Sequence, residues 1–268
     1  IVRNDQSIGE PAIPPATPFK MEEHRTSGGP SKKSQDQPVL LGYWAIRGLG
    51  NSIRHLLNYA GIPYTEKTYP FGARGQENRR SEWLADKPRL GLDFPNLPYL
   101  VDGEIKLTQS LAILRYLARH SGLFPTQERE RILADLAEQQ LNDLMWENIH
   151  LCYDPDYSVS KRDAFLQQLL GDRLPTLTRF LGERLFLTGD APSYVDFLAF
   201  EALDQHRALW PKECSLQDQP KLLDYLRRIE SLPAFRDYLA SEAFVSWPVW
   251  SELSSYGGPD TARPDAKG

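Results

Sequence analysis

The chain has 268 residues, with 31 basic and 36 acidic side chains, a formal net charge of -5 and 41% hydrophobic residues. This balance is ordinary for one large or two modest globular domains, and the lack of a basic block argues against nucleic acid as the main partner. No apolar run approaches the roughly 20 residues that span a bilayer, and the first residues lack the apolar core of a signal peptide. We therefore expect a cytoplasmic protein without a membrane partner.

Cysteine and histidine usage gives little indication of metal or redox chemistry. Cys152 and Cys214 are too few for a disulfide scaffold and form no Cys-x-x-Cys motif, so we expect packing thiols. The five histidines show no metal-ligand spacing, and His150 beside Cys152 is only a faint exception. We predict no metal site.

The first half of the chain predicts an α/β domain. Residues 1–37 are rich in proline and mixed charge, which is typical of a disordered N-terminal extension. The patterns then predict a strand over 39–43, a helix over 52–59 stopped by Gly61, and a strand over 64–69. This β-α-β unit favours parallel pairing. An exposed loop over 70–82 and a helical turn around Trp83 follow.

The stretch 94–110 predicts a hairpin. Residues 99–101 and 105–107 are short β-favouring runs, and Asp102-Gly103 is the kind of pair that closes a tight turn. Pro98 at the entrance of the first strand indicates a cis peptide bond after Leu97, whose backbone then faces outward to a ligand. Domain 38–120 is therefore predicted as β-α-β followed by β-β-α, around a four-stranded mixed sheet.

A helix over 111–119 follows the hairpin directly. Thr108, Gln109 and Ser110 open it, so free N–H groups and a positive dipole end lie beyond the second strand. This is a suitable place for a carboxylate.

Beyond the linker 121–125, an all-helical domain is predicted over 126–256. Thr126 is expected to cap a helix that runs to about His150, with a buried side formed by Ile132, Leu133, Leu136, Leu144 and Met145. Ser193 and Asp196 fit a capping box before a nearly all-apolar, central helix. Further helices are predicted over 163–181, 220–232 and 234–241, and residues 257–268 are predicted to be a flexible tail.

Several strings resemble the mu class of the cytosolic glutathione transferases: LGYWAIRGL at 41–49, LGLDFPNLPYLVDG at 90–103, TQSLAILRYLAR at 108–119, LCYDPD at 151–156 and YVDFL at 194–198. The resemblance covers residues 38 to about 256. It implies a thioredoxin-like glutathione-binding domain joined to an all-α domain that lines the electrophile site. The implied activity is detoxification by conjugating the glutathione thiolate to hydrophobic electrophiles, with glutathione as co-substrate and no cofactor.

Thiol conjugation needs the thiolate, because the neutral thiol is a poor nucleophile with a pKa of about 8.5. A tyrosine hydroxyl suits this task, since its pKa of about 10 keeps it a donor at neutral pH. Tyr43, at the end of the first predicted strand, holds the place that the resemblance assigns to this donor. Standing alone, it would rank first as an aromatic core residue.

The resemblance assigns further residues to substrate binding. Gln109 and Ser110 would meet the γ-glutamyl carboxylate, and the Leu97-Pro98 backbone would pair with the cysteinyl part. The glycyl end would meet Arg80, Trp83, Lys87 and Asn96, and Asp143 would reach the ligand's amine across a dimer. Without the resemblance, each of these side chains would more often be an ordinary surface residue.

The electrophile pocket is expected to be apolar with a few polar groups. The matching positions are Trp44, Leu49, Trp146, Tyr153, Trp250 and Ser251, with Tyr153 as a catalytic acid. Trp146 is bulkier than the side chain common at that place in the mu class.

The resemblance also implies a homodimer in which Phe94 inserts between helices of the second subunit. An alternative function is a non-catalytic ligand carrier or lens-type structural protein on the same scaffold. A thiol-disulfide or dehydroascorbate activity would want a cysteine near the first helix, and residues 43–55 contain none.

Overall fold

The computed structural model describes residues 38–72, 75–77 and 79–264. The predicted N-terminal extension over 1–37 and the last four residues of the predicted tail lie outside the described residues.

The N-terminal domain is built on a mixed sheet. Its strands are β1 (Val39–Trp44), β2 (Tyr64–Tyr69), β3 (Tyr99–Asp102) and β4 (Ile105–Thr108), in the order β2-β1-β3-β4. β1 pairs with β2 in parallel and with β3 antiparallel, and β3 pairs antiparallel with β4. The helices are α1 (Asn51–Tyr59), α2 (Ser81–Asp86) and α3 (Ser110–Ser121). This arrangement confirms the predicted thioredoxin-like topology.

The hairpin follows the prediction with one difference at its tip. The Leu97-Pro98 peptide bond is cis, as expected from the proline at the strand entrance. Asp102 pairs with Ile105, so the two turn residues are Gly103 and Glu104 and not Asp102-Gly103. Gly103 has φ +61°, a backbone conformation that a two-residue hairpin turn requires and that glycine adopts without strain.

The second domain is helical throughout its regular structure in the described residues. It contains α4 (Glu128–Tyr153), α5 (Val159–Gln168), a π-helical turn (Leu169–Arg173), α6 (Leu174–Leu181), α7 (Tyr194–Leu209), α8 (Pro220–Glu230) and α9 (Pro233–Leu239). α7 is buried along most of its length, and its capping box between Ser193 and Asp196 is present as predicted. The predicted helix over 163–181 starts earlier and is interrupted by the π-helical turn.

The start and the buried face of α4 differ from the prediction. The residue before the helix is Gln127, and no side chain caps this end, so the expected cap by Thr126 was wrong. Ile132 and Leu136 are 52% and 58% exposed and do not join the core. The helix also continues to Tyr153, beyond the predicted end at His150.

The segment after α9 folds back onto the helical domain. Val249 and Trp250 both donate their N–H groups to Gly257 O, at 3.1 and 3.0 Å. Gly257 and Gly258 are buried, and Ser255 N–H donates to Cys152 O at 2.7 Å. The start of the predicted flexible tail is therefore packed against the domain.

Candidate active site

Tyr43 lies at the end of β1, beneath the loop that leads into α1. Its side chain is 4% exposed, and its Oη accepts the N–H of Leu49 at 2.8 Å. A Cβ on Gly48 would lie 2.4 Å from Tyr43 Oη, and one on Gly50 would lie 2.4 Å from Tyr43 Cδ1. The loop can close over the tyrosine ring only because both of these positions are glycine.

The Tyr43 hydroxyl stays protonated at neutral pH. Burial raises the pKa of Tyr43 well above its usual range, and the Leu49 N–H and the charge of Arg54 only partly oppose this. The Arg54 guanidinium carbon lies 5.7 Å from the centroid of the tyrosine ring. A hydroxyl has one hydrogen to donate, and only backbone amides contact this oxygen among the described residues.

Several contacts with the helical domain hold the loop above Tyr43. Arg47 N–H donates to Pro248 O at 3.0 Å, and Gly48 N–H donates to Val249 O at 2.9 Å. Gln205 Nε2 donates to Gly48 O at 3.0 Å. The loop that contacts Tyr43 is thus fixed from both α7 and the segment after α9.

A buried carboxylate, Glu201 of α7, lies next to these contacts. It accepts hydrogen bonds from Arg47, Asn51, Gln205 and His55 at 2.7 to 3.1 Å. Burial alone would raise the pKa of Glu201, but the Arg47 charge and the His55 hydrogen bond lower it to about 2. Glu201 is therefore ionised, and it connects the loop, α1 and α7.

The proposed electrophile side brings three predicted residues together. Tyr153 Oη accepts the N–H of Ser251 at 3.0 Å and lies 3.0 Å from Ser251 Oγ, where either hydroxyl can donate. The Trp250 ring packs edge-on against the Tyr153 ring at 5.9 Å. Burial raises the pKa of Tyr153, and the two hydrogen bonds with Ser251 only partly oppose this.

The other predicted pocket residues lie on β1, in the loop after it and on α4. Trp44 ends β1, half-buried, with its ring 4.9 Å from that of Phe71. Leu49 packs against both the small aromatic cluster that contains Tyr43 and the main core. Trp146 is 43% exposed and contacts His150. It lies two helical turns before Tyr153, on the same face of α4.

The residues predicted to pair with the cysteinyl part lie at the cis peptide bond. Leu97 and Pro98 are buried, and Asn96 is exposed. Leu97 N–H donates to the side-chain Oδ1 of its neighbour Asn96 at 2.9 Å. A peptide ligand that pairs with this N–H must displace the Asn96 side chain, which the sequence did not indicate.

Gln109 and Ser110 lie at the start of α3, as the carboxylate argument requires. Ser110 is the first residue of the helix, and Gln109 precedes it, exposed, with φ +69°. A positive φ at a residue other than glycine is uncommon and costs free energy, and such strained residues cluster at active sites and ligand-binding positions. The conformation is consistent with a backbone held ready for a ligand.

The predicted glycyl site is less compact. Trp83 is buried and its ring stacks on Tyr99 at 6.2 Å, while Lys87 Nζ lies 6.0 Å from the Trp83 ring centroid. Arg80 is exposed, has φ +61° and lies over Phe71 at 5.7 Å.

Two predicted residues lie apart from this group. Asp143 is exposed on α4, and no hydrogen bond or ion pair within the described part of the chain connects it to the other candidates. Phe94 is 74% exposed.

Sequence reasoning missed the residues that support the site from below. Arg47, Glu201 and Gln205 are each at most 1% exposed. The signal was present, because Glu201 interrupts the apolar run over 197–203 and Gln205 lies four positions further along the same face of the helix. Buried polar residues require partners, so they indicate a network facing the neighbouring domain.

Metal and membrane features were also searched within the described ranges. No group of three or more His, Cys, Asp or Glu residues there is arranged to hold a metal ion. Among those same residues, no helix has the length and apolar character needed to cross a bilayer. Burial raises the pKa of Cys152 and of Cys214 to about 12, so both thiols stay neutral.

Comparison with known families matches both domains. Residues 39–119 match the family model described as "Glutathione S-transferase, N-terminal domain", and residues 142–242 match "Glutathione S-transferase, C-terminal domain". Fold and matches thus define a two-domain class, in which a thioredoxin-like domain precedes a helical one.

Individual proteins agree with this class. The chain is 44% identical over 219 residues to "Glutathione S-transferase Mu 1" of Mus musculus, covering 82% of this chain and 98% of the mouse protein. It is 43% identical over 225 residues to "Glutathione S-transferase class-mu 26 kDa isozyme 51" of Fasciola hepatica, covering 84% and 99%. The crystal structure of the glutathione S-transferase Blo t 8 aligns with TM-score 0.73 at 34% identity, covering 81% and 99%. The chain belongs to the glutathione S-transferase family, and within it to the mu class.

Proposed function

We propose that this chain conjugates glutathione to hydrophobic electrophiles, with Tyr43 as the hydrogen-bond donor to the glutathione sulfur. The observation that carries the proposal is the bond at 2.8 Å from Leu49 N–H to Tyr43 Oη. Because the hydroxyl oxygen accepts this bond, its own hydrogen is available to an acceptor outside the protein.

The environment of Tyr43 supports thiolate formation. Its raised pKa keeps the phenol protonated, so it donates to the sulfur without taking up charge. Lowering a thiol pKa by about two units requires about 2.7 kcal/mol of preference for the anion. A hydrogen bond to a charged group contributes about 1.5 to 3 kcal/mol, so one phenol with neighbouring dipoles is sufficient.

The remaining predicted residues position glutathione. We assign the γ-glutamyl carboxylate to Gln109 and Ser110 at the start of α3, where the helix dipole favours an anion. The cysteinyl backbone pairs with Leu97 before the cis Pro98. The glycyl carboxylate is assigned to the group Arg80, Trp83, Lys87 and Asn96, and the α-amine to Asp143 of a second subunit.

The second substrate binds beside Tyr153. The thiolate attacks an electrophilic carbon and forms a carbon–sulfur bond, while a halide leaves, an epoxide C–O bond opens or an activated double bond takes up the electron pair. Where negative charge develops on oxygen, the Tyr153 hydroxyl donates a proton or hydrogen bond to it. Trp44, Leu49, Trp146, Trp250 and Ser251 supply the surrounding walls.

We also propose that the chain acts as a homodimer in the cytoplasm. Exposed large apolar side chains support the dimer, because apolar side chains that lie side by side on a surface mark contact surfaces, as Ile132 and Leu136 do one turn apart on α4. They include Leu84, Phe94, Ile132 and Leu136, each more than half exposed. Phe94 is assigned as the residue that inserts into the partner.

The test is Tyr43→Phe, assayed with glutathione and 1-chloro-2,4-dinitrobenzene. We expect retained binding to immobilised glutathione and turnover lower by about a hundredfold, because removing one anion-stabilising donor costs about 2.7 to 4 kcal/mol. An unchanged rate in the folded variant would exclude Tyr43 from the mechanism.

The carrier or lens-type alternative is separated by the same assays. Wild-type protein that binds glutathione without turnover would favour it. The named relatives are transferases, so the comparisons give this alternative no support.

A further inference from the structure

A buried hydrogen-bond chain runs from α7 to Tyr43. Gln205 Nε2 donates to Gly48 O at 3.0 Å. The N–H of Leu49 belongs to the same peptide group as Gly48 O, and it donates to Tyr43 Oη at 2.8 Å. A single peptide unit therefore connects Gln205 with the phenol that we assign to the glutathione sulfur.

The orientation of the Gln205 amide follows from its neighbours. Gln205 is fully buried, and its Nε2 also donates to Glu201 Oε1 at 2.8 Å. Gly48 O and the Glu201 carboxylate are both acceptors, so the amide nitrogen and not the amide oxygen must face them.

Gln205 has a feature that stability alone does not explain. Its Oε1 is buried without a hydrogen-bond partner among the described residues. An unpaired buried carbonyl costs free energy, and such a group in a folded protein calls for a functional explanation. The Gln205 amide is held one peptide group away from Tyr43, so a role in positioning that phenol would explain why the orientation is kept.

We propose that Gln205 is a positioning residue for Tyr43, which acts through the Gly48-Leu49 peptide group to strengthen the bond from Tyr43 to the thiolate. The inference depends on the proposed function, since it concerns the same phenol. A donor on Gly48 O polarises the peptide group and makes Leu49 N–H a stronger donor, by about 10–30% per bond in a hydrogen-bonded chain. Tyr43 Oη then carries less negative charge, and its own hydrogen becomes a stronger donor.

The ionised Glu201 fixes the other end of this chain. Its carboxylate is held by Arg47 through two hydrogen bonds, at 3.1 and 3.0 Å, so Gln205 has a rigid anchor. The loop is also held at Gly48 N–H by Val249 O. Loss of Gln205 therefore removes the bond to Gly48 O while the opposite side of the same loop stays anchored.

The test is Gln205→Met, which keeps the length of the side chain and removes the donor. Spectroscopic titration of the glutathione complex should show a thiol pKa higher by about half a unit, a roughly threefold loss of thiolate at fixed pH below it. Turnover should fall by a similar factor, while KM for glutathione changes by less than about twofold. Gln205→Leu removes the same donor with a different shape, so the test does not depend on one variant folding.

The matched control is Tyr225→Phe. Tyr225 is fully buried and donates to Asp196 Oδ1 at 2.7 Å, near the start of α7 and away from the loop. This variant should lower the melting temperature and leave the thiol pKa at its wild-type value. If Gln205→Met behaves in the same way, the inference is refuted and the proposed function stands.

A double variant separates the two proposals. Adding Gln205→Met to Tyr43→Phe should produce no further shift of the thiol pKa, because the phenol that carries the effect is absent. A further shift of equal size would show that Gln205 acts by another route and would refute the inference. If Tyr43→Phe alone leaves the thiol pKa unchanged, the proposed function itself fails.

Discussion

Replacing Glu201 by Gln tests how strongly the two domains depend on one buried carboxylate. Glu201 is fully buried and ionised, with Arg47, Asn51, His55 and Gln205 as its donors. A neutral amide of the same size removes one of the two carboxylates that pair with Arg47 among the described residues. The Arg47 guanidinium, which is 1% exposed, then keeps Asp204, at 2.8 Å, as an ionic partner. The amide also turns an NH₂ group toward side chains that donate hydrogen bonds to the carboxylate in the wild type.

The expected loss follows from breaking a buried ion pair. Removing one partner of such a pair costs about 3 to 5 kcal/mol, since the other charge stays buried. For a domain of this size, 1 kcal/mol lowers the melting temperature by about 2–4 °C. We therefore expect Glu201→Gln to melt roughly 6 to 20 °C below the wild type, measured by circular dichroism at equal protein concentration.

Glu183→Gln is the control for this experiment. Glu183 is 91% exposed and pairs with Lys221 at 2.5 Å, and exposed ion pairs contribute little to stability. Its melting temperature should stay within about 4 °C of the wild type. If the melting temperature of Glu201→Gln changes no more than that of this control, the Glu201 carboxylate does not stabilise the contact between the two domains.

Three further predictions concern catalysis, pH and assembly. Tyr153→Phe should lower turnover of an epoxide by about a hundredfold, as expected for loss of a general acid. The rate with 1-chloro-2,4-dinitrobenzene should change by less than about threefold, because the departing halide needs no proton. Equal losses in both assays would contradict an acid role for Tyr153. Burial lowers the pKa of His206 to about 4. Its Nδ1 lies 2.6 Å from Ala202 O, and its Nε2 has no hydrogen-bond partner among the described residues. Between pH 6.5 and 4, His206 is therefore protonated in the unfolded chain and neutral in the folded chain. Stability should therefore fall as the pH drops from 6.5 to 4, by roughly 3 kcal/mol from this residue. Urea unfolding of His206→Gln should show a flatter pH profile, with His55 and, near pH 4, Glu201 contributing to the slope that remains; identical profiles would be evidence against it. Phe94→Ser should convert a sedimenting dimer to monomer, whereas Leu185→Ser, at a side chain 45% exposed elsewhere, should not; a Phe94→Ser dimer of wild-type affinity would rule out the proposed insertion.

Local pattern was sufficient to predict the sheet and most helices. The strand runs, the proline before Tyr99 and the Ser193-Asp196 capping box depend on contacts within a few residues, and these features were confirmed. Ile132 and Leu136 were placed on the buried face of α4 because apolar residues usually face a core. Their exposure in the single chain shows that apolar spacing alone cannot identify which face has a neighbour.

The residues that support the site could not be predicted from local sequence. Gln205 and Gly48 are 157 positions apart, and the contact between them exists only because α7 packs beneath the loop of the first domain. The same holds for Tyr153 and Ser251, 98 positions apart, where only the resemblance suggested a shared pocket. The packed start of the tail likewise depends on hydrogen bonds from Val249 and Trp250 to Gly257 O, whereas residues 257–268 had been predicted to be a flexible tail.

The most direct measurement is an ultraviolet difference titration of the complex between this enzyme and glutathione. If the Tyr43 hydroxyl stabilises the ionised sulfur, thiolate absorbance should be present at pH 7 and should titrate about two units below the pKa of a free thiol near 8.5. A band that appears only at the pKa of free glutathione would contradict the account.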